Sequence, residues 1–293
     1  MLNTYDFQVE HPQEFSQLAV KDLLFLYYRC PQVERKINLY THYNKIIFVL
    51  DGKKIVHHRE KSWLLTSGQS ILLKKTAYKQ ERFLDTEWEV LCFYIPDHFL
   101  KQVFNELRIS LPLKELPPSP PEILLEINVS ESTRAFFYSI IPYFNQQPPP
   151  SKILLELKFK ELLFNILSNP ANLGVLAYVS SMSDSHKPLL PEIMEANYTF
   201  NLSIAEFARI SQRSLASFKR DFTSYYKTTP GKWLVQKRLE YAKHLLETSS
   251  KNINDITLDC GFENATHFCR VFKEKFGMPP LHYRKNKLVA YIS

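Results

Sequence analysis

The chain has 293 residues, room for about two domains, and its 45% apolar and 23% charged residues exclude a disordered or fibrous polymer. The net charge of +7 is unevenly placed: residues 193–293 hold 16 Lys and Arg against 9 Asp and Glu, whereas residues 1–192 hold 21 against 21. A polyanion would therefore meet the last third of the chain. The four cysteines, Cys30, Cys92, Cys260 and Cys269, lack the paired spacing of zinc sites or a disulfide framework. The polar opening Met1–Phe15 has no signal-peptide core and no run reaches the length of a membrane span, so the expectation is a cytoplasmic protein without a membrane partner.

Residues 20–97 read as short strands: Leu23–Tyr28, Lys45–Leu50, Lys54–His58, Ser62–Leu65, Ser70–Leu73 and Glu89–Ile95. Turn signals split them, and Asp51-Gly52 predicts a hairpin between the second and third. A helix follows over 97–107, then the stiff connector Leu116–Pro121 and a helix over 130–145 interrupted by Pro142. The helix Ser151–Leu167 has an apolar face too broad for one neighbour, which suits either burial in the core or burial plus contact with a second chain. A short helix over 172–181 and a polar linker at 183–189 complete this part.

From residue 190 the pattern repeats. Phe218-Lys219-Arg220-Asp221-Phe222 and Phe268-Cys269-Arg270-Val271-Phe272 share one frame at an offset of fifty, as do Tyr226 with Phe276 and Pro230 with Pro280. After a leading helix over 190–196, Ser203-x-x-Glu206 is a capping box for the first short helix. Ser214 is the expected N-cap of a second helix, 214–226, with Leu215, Phe218, Phe222 and Tyr225 inward. A long helix from Lys232 to about Glu247 spans roughly 25 Å at ~1.5 Å per residue and joins this unit to its copy. There Asn264 caps the helix 264–276, Gly277 ends it, and Pro279–Arg284 makes one closing turn. Two helix-turn-helix units in tandem form a reader of double-stranded DNA.

The faces opposite the aromatic residues supply the base-contact candidates: Ala216, Ser217 and Arg220 in the first copy, Ala265, Thr266 and Arg270 in the second. A lone exposed arginine is more often a solvated ion pair, but the same arginine in both copies favours bidentate contact with guanine. Arg213, Ser214, Lys219, Lys237, Arg238, Asn264, His267 and Lys273 are the phosphate-contact candidates.

Gly261-Phe262 through Phe268-x-Arg270-x-Phe272-Lys273, then Phe276-Gly277-Met278-Pro279-Pro280-x-x-Tyr283-Arg284, resembles the signature of AraC/XylS-type transcription regulators. The resemblance covers about 190–285. It implies recognition helices in adjacent major-groove segments, action on RNA polymerase, and more often activation than repression. The first copy departs from the pattern: Lys227 stands where the family has Gly, and Gln212-Arg213 replace the usual turn pair.

In this family a cupin-like barrel that senses a small molecule often precedes the DNA unit, and residues 20–97 are similar to that arrangement. The leucine-rich helix resembles its dimer helices and implies a homodimer. The stretch Tyr94-Ile95-Pro96-Asp97-x-Phe99-Leu100 looks closest to the branch of type III secretion activators, which respond to protein partners. A small-molecule effector thus stays open beside a regulatory protein, for which Lys74, Lys75, Lys79 and Arg82 offer a basic surface. The alternative is a cupin-type metal-dependent enzyme with an accessory helical domain. Of its available histidines, His42, His57 and His58, the last two are adjacent and point to opposite faces of a strand. The expected fold class is α+β in two domains. Residues 1–182 form a cupin-like β-barrel with flanking helices, and 190–293 an all-α unit of about seven helices. No catalytic residue, metal or cofactor is assigned.

Overall fold

The computed structural model describes residues 1–29, 35–83, 86–111, 113, 116–183 and 190–292. The chain divides into two compact units, Leu2–Pro188 and Leu189–Ser293. Most of the expected linker, from 184 to 189, lies outside the described residues.

The first unit is sheet-rich. Its strands are β1 (Leu2–Asn3), β2 (Ser16–Val20), β3 (Leu23–Arg29), β4 (Lys36–Thr41), β5 (Asn44–Asp51), β6 (Lys53–His58), β7 (Lys61–Thr66), β8 (Ser70–Leu73), β9 (Thr76–Arg82), β10 (Glu89–Ile95) and β11 (Leu124–Ile127), and a short helix α1 (Thr4–Glu10) follows β1. They form two sheets, of order β1-β4-β9-β6-β7 and β11-β8-β5-β10-β3-β2. No strand pairing closes them into one ring among the described residues.

The six-stranded sheet is buried on both sides, which explains its nearly continuous apolar strands. In β10, Val90, Cys92 and Tyr94 join Leu24 and Leu26 in one core, shared with Leu39, Val56 and Tyr78 of the other sheet. Leu91, Phe93 and Ile95 point the opposite way, into a second core with the helices. Strands β4 and β9 escaped the sequence reading because their outer face is charged. Lys36 and Arg35 pair with Glu81 there at 3.2 and 3.1 Å, hiding the inward Leu39 and Tyr78.

Asp51-Gly52 does not make a hairpin. Its flanking strands belong to different sheets, β5 pairing with β8 and β10, β6 with β7 and β9. The turn carries the chain from one sheet to the other. Gly52 has φ +87°, and a Cβ there would stand 1.7 Å from the Glu87 carbonyl oxygen, so close approach as well as backbone angle demands glycine.

The helices of this unit are α2 (Asp97–Leu107), α3 (Glu131–Ile140), α4 (Lys152–Leu167) and α5 (Leu173–Ser183). Helix α3 gives way to a 3-10 turn over Ile141–Asn145, where Pro142 removes a donor. In α4 the apolar residues divide between two faces. Leu155, Phe159, Leu162, Leu163, Ile166 and Leu167 are in the core, while Ile153 (76% exposed), Leu157 and Phe164 face outward. Lys160 binds both oxygens of Glu106 at 2.9 and 2.8 Å and fastens α4 to α2. Lys75 is not part of a basic surface: it is buried and paired with Asp97, which also accepts from Asn44 at 2.8 Å. A buried ammonium needs such a partner.

The second unit has seven helices among the described residues: α6 (Leu190–Asn197), α7 (Ile204–Ile210), α8 (Leu215–Tyr226), α9 (Pro230–Thr248), α10 (Ile253–Asp259), α11 (Ala265–Phe276) and α12 (Pro280–Ile292). The closing turn at Pro280 is therefore a full helix. Its start is anchored by Tyr283, whose hydroxyl donates to Glu247 at 2.7 Å, and by Arg284, which donates to the Lys251 carbonyl at 2.6 Å. Among the described residues no single helix is long and apolar enough to cross a membrane.

Candidate nucleic-acid interface

Each copy is built from two capped helices and a tight turn. In the first, Ser203 Oγ accepts from the Glu206 amide at 3.2 Å and Glu206 accepts from the Ser203 amide at 2.6 Å, the full capping box. Ser214 then caps α8 by accepting from the Ser217 amide at 3.2 Å. In the second, Asn252 caps α10 and Asn264 caps α11, each accepting from a backbone amide at 2.8 Å. The copies are not a constant distance apart. Ile204 and Ile253 open the first helices 49 positions apart, whereas Leu215 and Ala265 open the second helices 50 apart. The second turn is one residue longer.

The turns also differ in chemistry. Gly261 (φ +81°) and Gly277 (φ +79°) supply the left-handed positions of the second copy, but Gln212 (φ +54°) and Lys227 (φ +55°) hold them in the first. A residue with a Cβ costs about 1–2 kcal/mol in that conformation, so the first copy stores strain at both ends of α8. The next turn position is Phe262 in one copy and Arg213 in the other, donating from the backbone to Thr257 and Ala208 at 3.0 and 2.9 Å. Phe262 is buried with Val271 packed on its cluster. Arg213 instead pairs with Asp221 at 3.2 Å, Asp221 standing fifty residues before Val271, and donates to the Ser211 carbonyl at 3.0 Å. The first copy thus has an ion pair where the second has two apolar residues, so Arg213 is engaged inside the unit and not aimed at phosphate.

Both second helices press an aromatic ladder into the unit at positions i, i+4 and i+8. Rings of Phe218, Phe222 and Tyr226 follow at 5.9 and 4.5 Å, and those of Phe268, Phe272 and Phe276 at 5.6 and 4.6 Å. Leu215 and Tyr225, expected inward, are exposed because that ladder already fills the core side. Helix α9 spans both copies: Trp233 packs on Phe222 and Tyr226 at 6.0 and 5.1 Å, and Leu239, Ala242, Leu245 and Leu246 join the cluster of α10 and α11.

Opposite the ladders lie the base-contact candidates. Arg220 is 77% exposed and Arg270 63%. Ala216 and Thr266 are exposed beside them, and Ser217 and Ala265 are half-buried. Each arginine has a carboxylate neighbour that the sequence reading did not single out. Arg220 stands 3.6 Å from Asp221 and Arg270 2.9 Å from Glu274. Sequence adjacency and the i, i+4 spacing were the available signals.

The phosphate candidates divide. Ser214, Lys219, Asn264, His267 and Lys273 are exposed. Lys237 is half-buried, paired with Glu195 at 2.6 Å and lying over Trp233. Arg238 is a correction. It is buried, with Nε donating to the Tyr198 carbonyl and Nη2 to the Phe200 carbonyl, both at 2.7 Å. Burial pulls it down to about 10, so it stays charged at neutral pH. Its place on a long charged helix made it a phosphate candidate, but the segment that follows α6 lies over that side of α9 and claims its fork.

The histidines of the enzyme alternative lie in the first unit. His42 Nδ1 is 3.0 Å from Asn3 Nδ2, and His57 bridges Ser62 Oγ (2.7 Å) and Glu81 (3.2 Å). Among the described residues no three His, Cys, Asp or Glu side chains gather as a metal site.

Two family models match: residues 44–178 the ExsA N-terminal regulatory domain, and residues 204–286 a helix-turn-helix domain. The chain belongs to the AraC/XylS-type transcription regulators. Among its relatives in that family is the virulence regulon transcriptional activator VirF of Yersinia enterocolitica, 23% identical over 245 residues, covering 84% of this chain and 90% of VirF. The HTH-type transcriptional regulator ExsA of Pseudomonas aeruginosa is 22% identical over 275 residues, 94% of this chain and 97% of ExsA. The solved structure of ToxT from Vibrio cholerae matches at 18% identity and a TM-score of 0.41, over 90% of this chain and 98% of that one. As an AraC/XylS-type regulator, this chain joins an N-terminal regulatory domain to a DNA-binding helix-turn-helix domain.

Proposed function

We propose that this regulator is an activator that reads two adjacent major-groove segments with α8 and α11, under the control of the sheet-rich unit. The observation that carries the reading is the paired placement of Arg220 and Arg270. Both are exposed, fifty residues apart, on helices whose other faces are locked by aromatic ladders. Helix α9, with 19 residues, is roughly 28 Å long at ~1.5 Å per residue, comparable with one DNA turn of ~34 Å. Ser214, Lys219, Asn264, His267 and Lys273 supply the salt-dependent phosphate contacts, and RNA polymerase is the partner of activation. Hydroxyl-radical footprinting of a target promoter by the full chain is expected to give two protected patches one helical turn apart on one face. A single patch would remove one of the two reading helices.

The first unit serves as the sensor, taking a small-molecule effector or a regulatory protein, and dimerises through the outer face of α4. Ile153, Leu157 and Phe164 recur there at helical spacing and each leaves about half or more of its surface exposed. Leu157→Lys is expected to shift the sedimenting species from dimer to monomer. A dimer unchanged by this charge would move the interface elsewhere.

A further inference from the structure

Glu274 sits one turn beyond Arg270 on α11, its Oε1 accepting from Arg270 Nη1 at 2.9 Å, and its side chain is 59% exposed. Three electrostatic effects oppose an acid at this position. It lies in the last turn of the helix, where the carbonyl ends already carry partial negative charge. Arginine before glutamate at i, i+4 is the weaker order for a helix-surface pair. The face it shares with Arg270 is the one proposed to meet a polyanion, which repels a carboxylate.

The first copy handles its arginine differently. Ser224 stands fifty residues before Glu274, and the carboxylate near Arg220 comes from Asp221, which is also held by Arg213 at 3.2 Å and Ser217 at 3.4 Å. Asp221 is thereby an orienting group at the flank of its helix. Among the described residues Glu274 pairs with no second cation, and the adjacent Lys275 is taken by Glu240 at 2.7 Å.

An exposed carboxylate on a groove-facing surface gains only where the DNA presents a donor, and in the major groove the N4 amino group of cytosine is the fitting one. Four residues advance roughly 6 Å along a helix, close to two base steps of ~3.4 Å. We propose that Glu274 is a specificity-determining residue, accepting from the N4 amino group of a cytosine within two base pairs of the guanine read by Arg270. This rests on the base-reading role given to Arg270 above.

The test is selection from randomised duplexes by the full chain and its Glu274→Ala, Glu274→Gln and Arg270→Ala variants. Glu274→Ala is expected to lose preference for cytosine at one position by roughly tenfold, with the neighbouring guanine still selected. Glu274→Gln should turn that position towards adenine, whose N6 and N7 suit an amide. Tighter binding of Glu274→Ala to all duplexes alike, with unchanged preferences, would mean that the carboxylate only repels phosphate, and the inference falls alone. Loss of affinity without loss of any base preference in Arg270→Ala would instead overturn base reading by α11 itself.

Discussion

Arg220→Ala and Arg270→Ala are each expected to weaken binding to the target duplex by about 1–3 kcal/mol while changing binding to random duplex much less. A bidentate guanidinium–guanine contact exists only on the right sequence, so its loss falls on specific binding. Lys219→Ala and Lys273→Ala form the contrast. Their exposed ammonium groups are expected to act on phosphate, so removing either should weaken both duplexes alike and lower the salt dependence. Neither carboxylate neighbour holds its arginine back. The exposed pairs cost little to break, on the order of 1 kcal/mol or less. Gel-shift titration on both duplexes checks the result, and equal losses from the arginine variants on both would leave only phosphate contact.

The second large effect concerns Arg238, and it is on stability. Arg238→Ala removes two charge-assisted hydrogen bonds and leaves the Tyr198 and Phe200 carbonyls without those donors, which costs on the order of 3 kcal/mol. The damage extends to the second copy, because its turn packs on the same point. A Cβ at Gly261 would come within 2.8 Å of the Thr199 carbonyl oxygen and 3.1 Å of Arg238 Nε. Arg238→Lys keeps the charge but not the planar fork that reaches both carbonyls, so it should recover only part of the loss. Hydrogen exchange in the full chain reads this directly: amides of α9 and of the turn after α10 should open more readily. Unchanged protection, with weaker DNA binding, would return Arg238 to the phosphate set.

Much of the second unit was legible because its information is local. The capping box at Ser203, the caps at Ser214 and Asn264, the stop at Gly277 and the aromatic spacing each act within one helical turn. Periodicity could not place Leu215 and Tyr225. They share the angular sector of the ladder, and only the filled core shows there is no room for them. In the first unit, most strands with apolar residues on both faces were plain, although β11, with Leu124 in one core and Leu125 in the other, was missed. Strands β4 and β9 were hidden because their charges pair across the sheet surface, a contact between residues some 46 positions apart.

The sequence by itself determined the tandem repeat, the family signature, the two exposed arginines and the regional charge. All of these rest on spacing along one chain. Tertiary structure decided which cations are free to meet DNA. Arg213 and Arg238 look like surface charges in the sequence, but Asp221 and the Tyr198–Phe200 carbonyls engage them through folding. It also decided that Asp51-Gly52 joins two sheets rather than two paired strands, since the Glu87 carbonyl that occupies the Gly52 side arrives from 35 residues further along. Local rules govern caps and faces, and contacts distant in sequence choose which polar groups are spent inside.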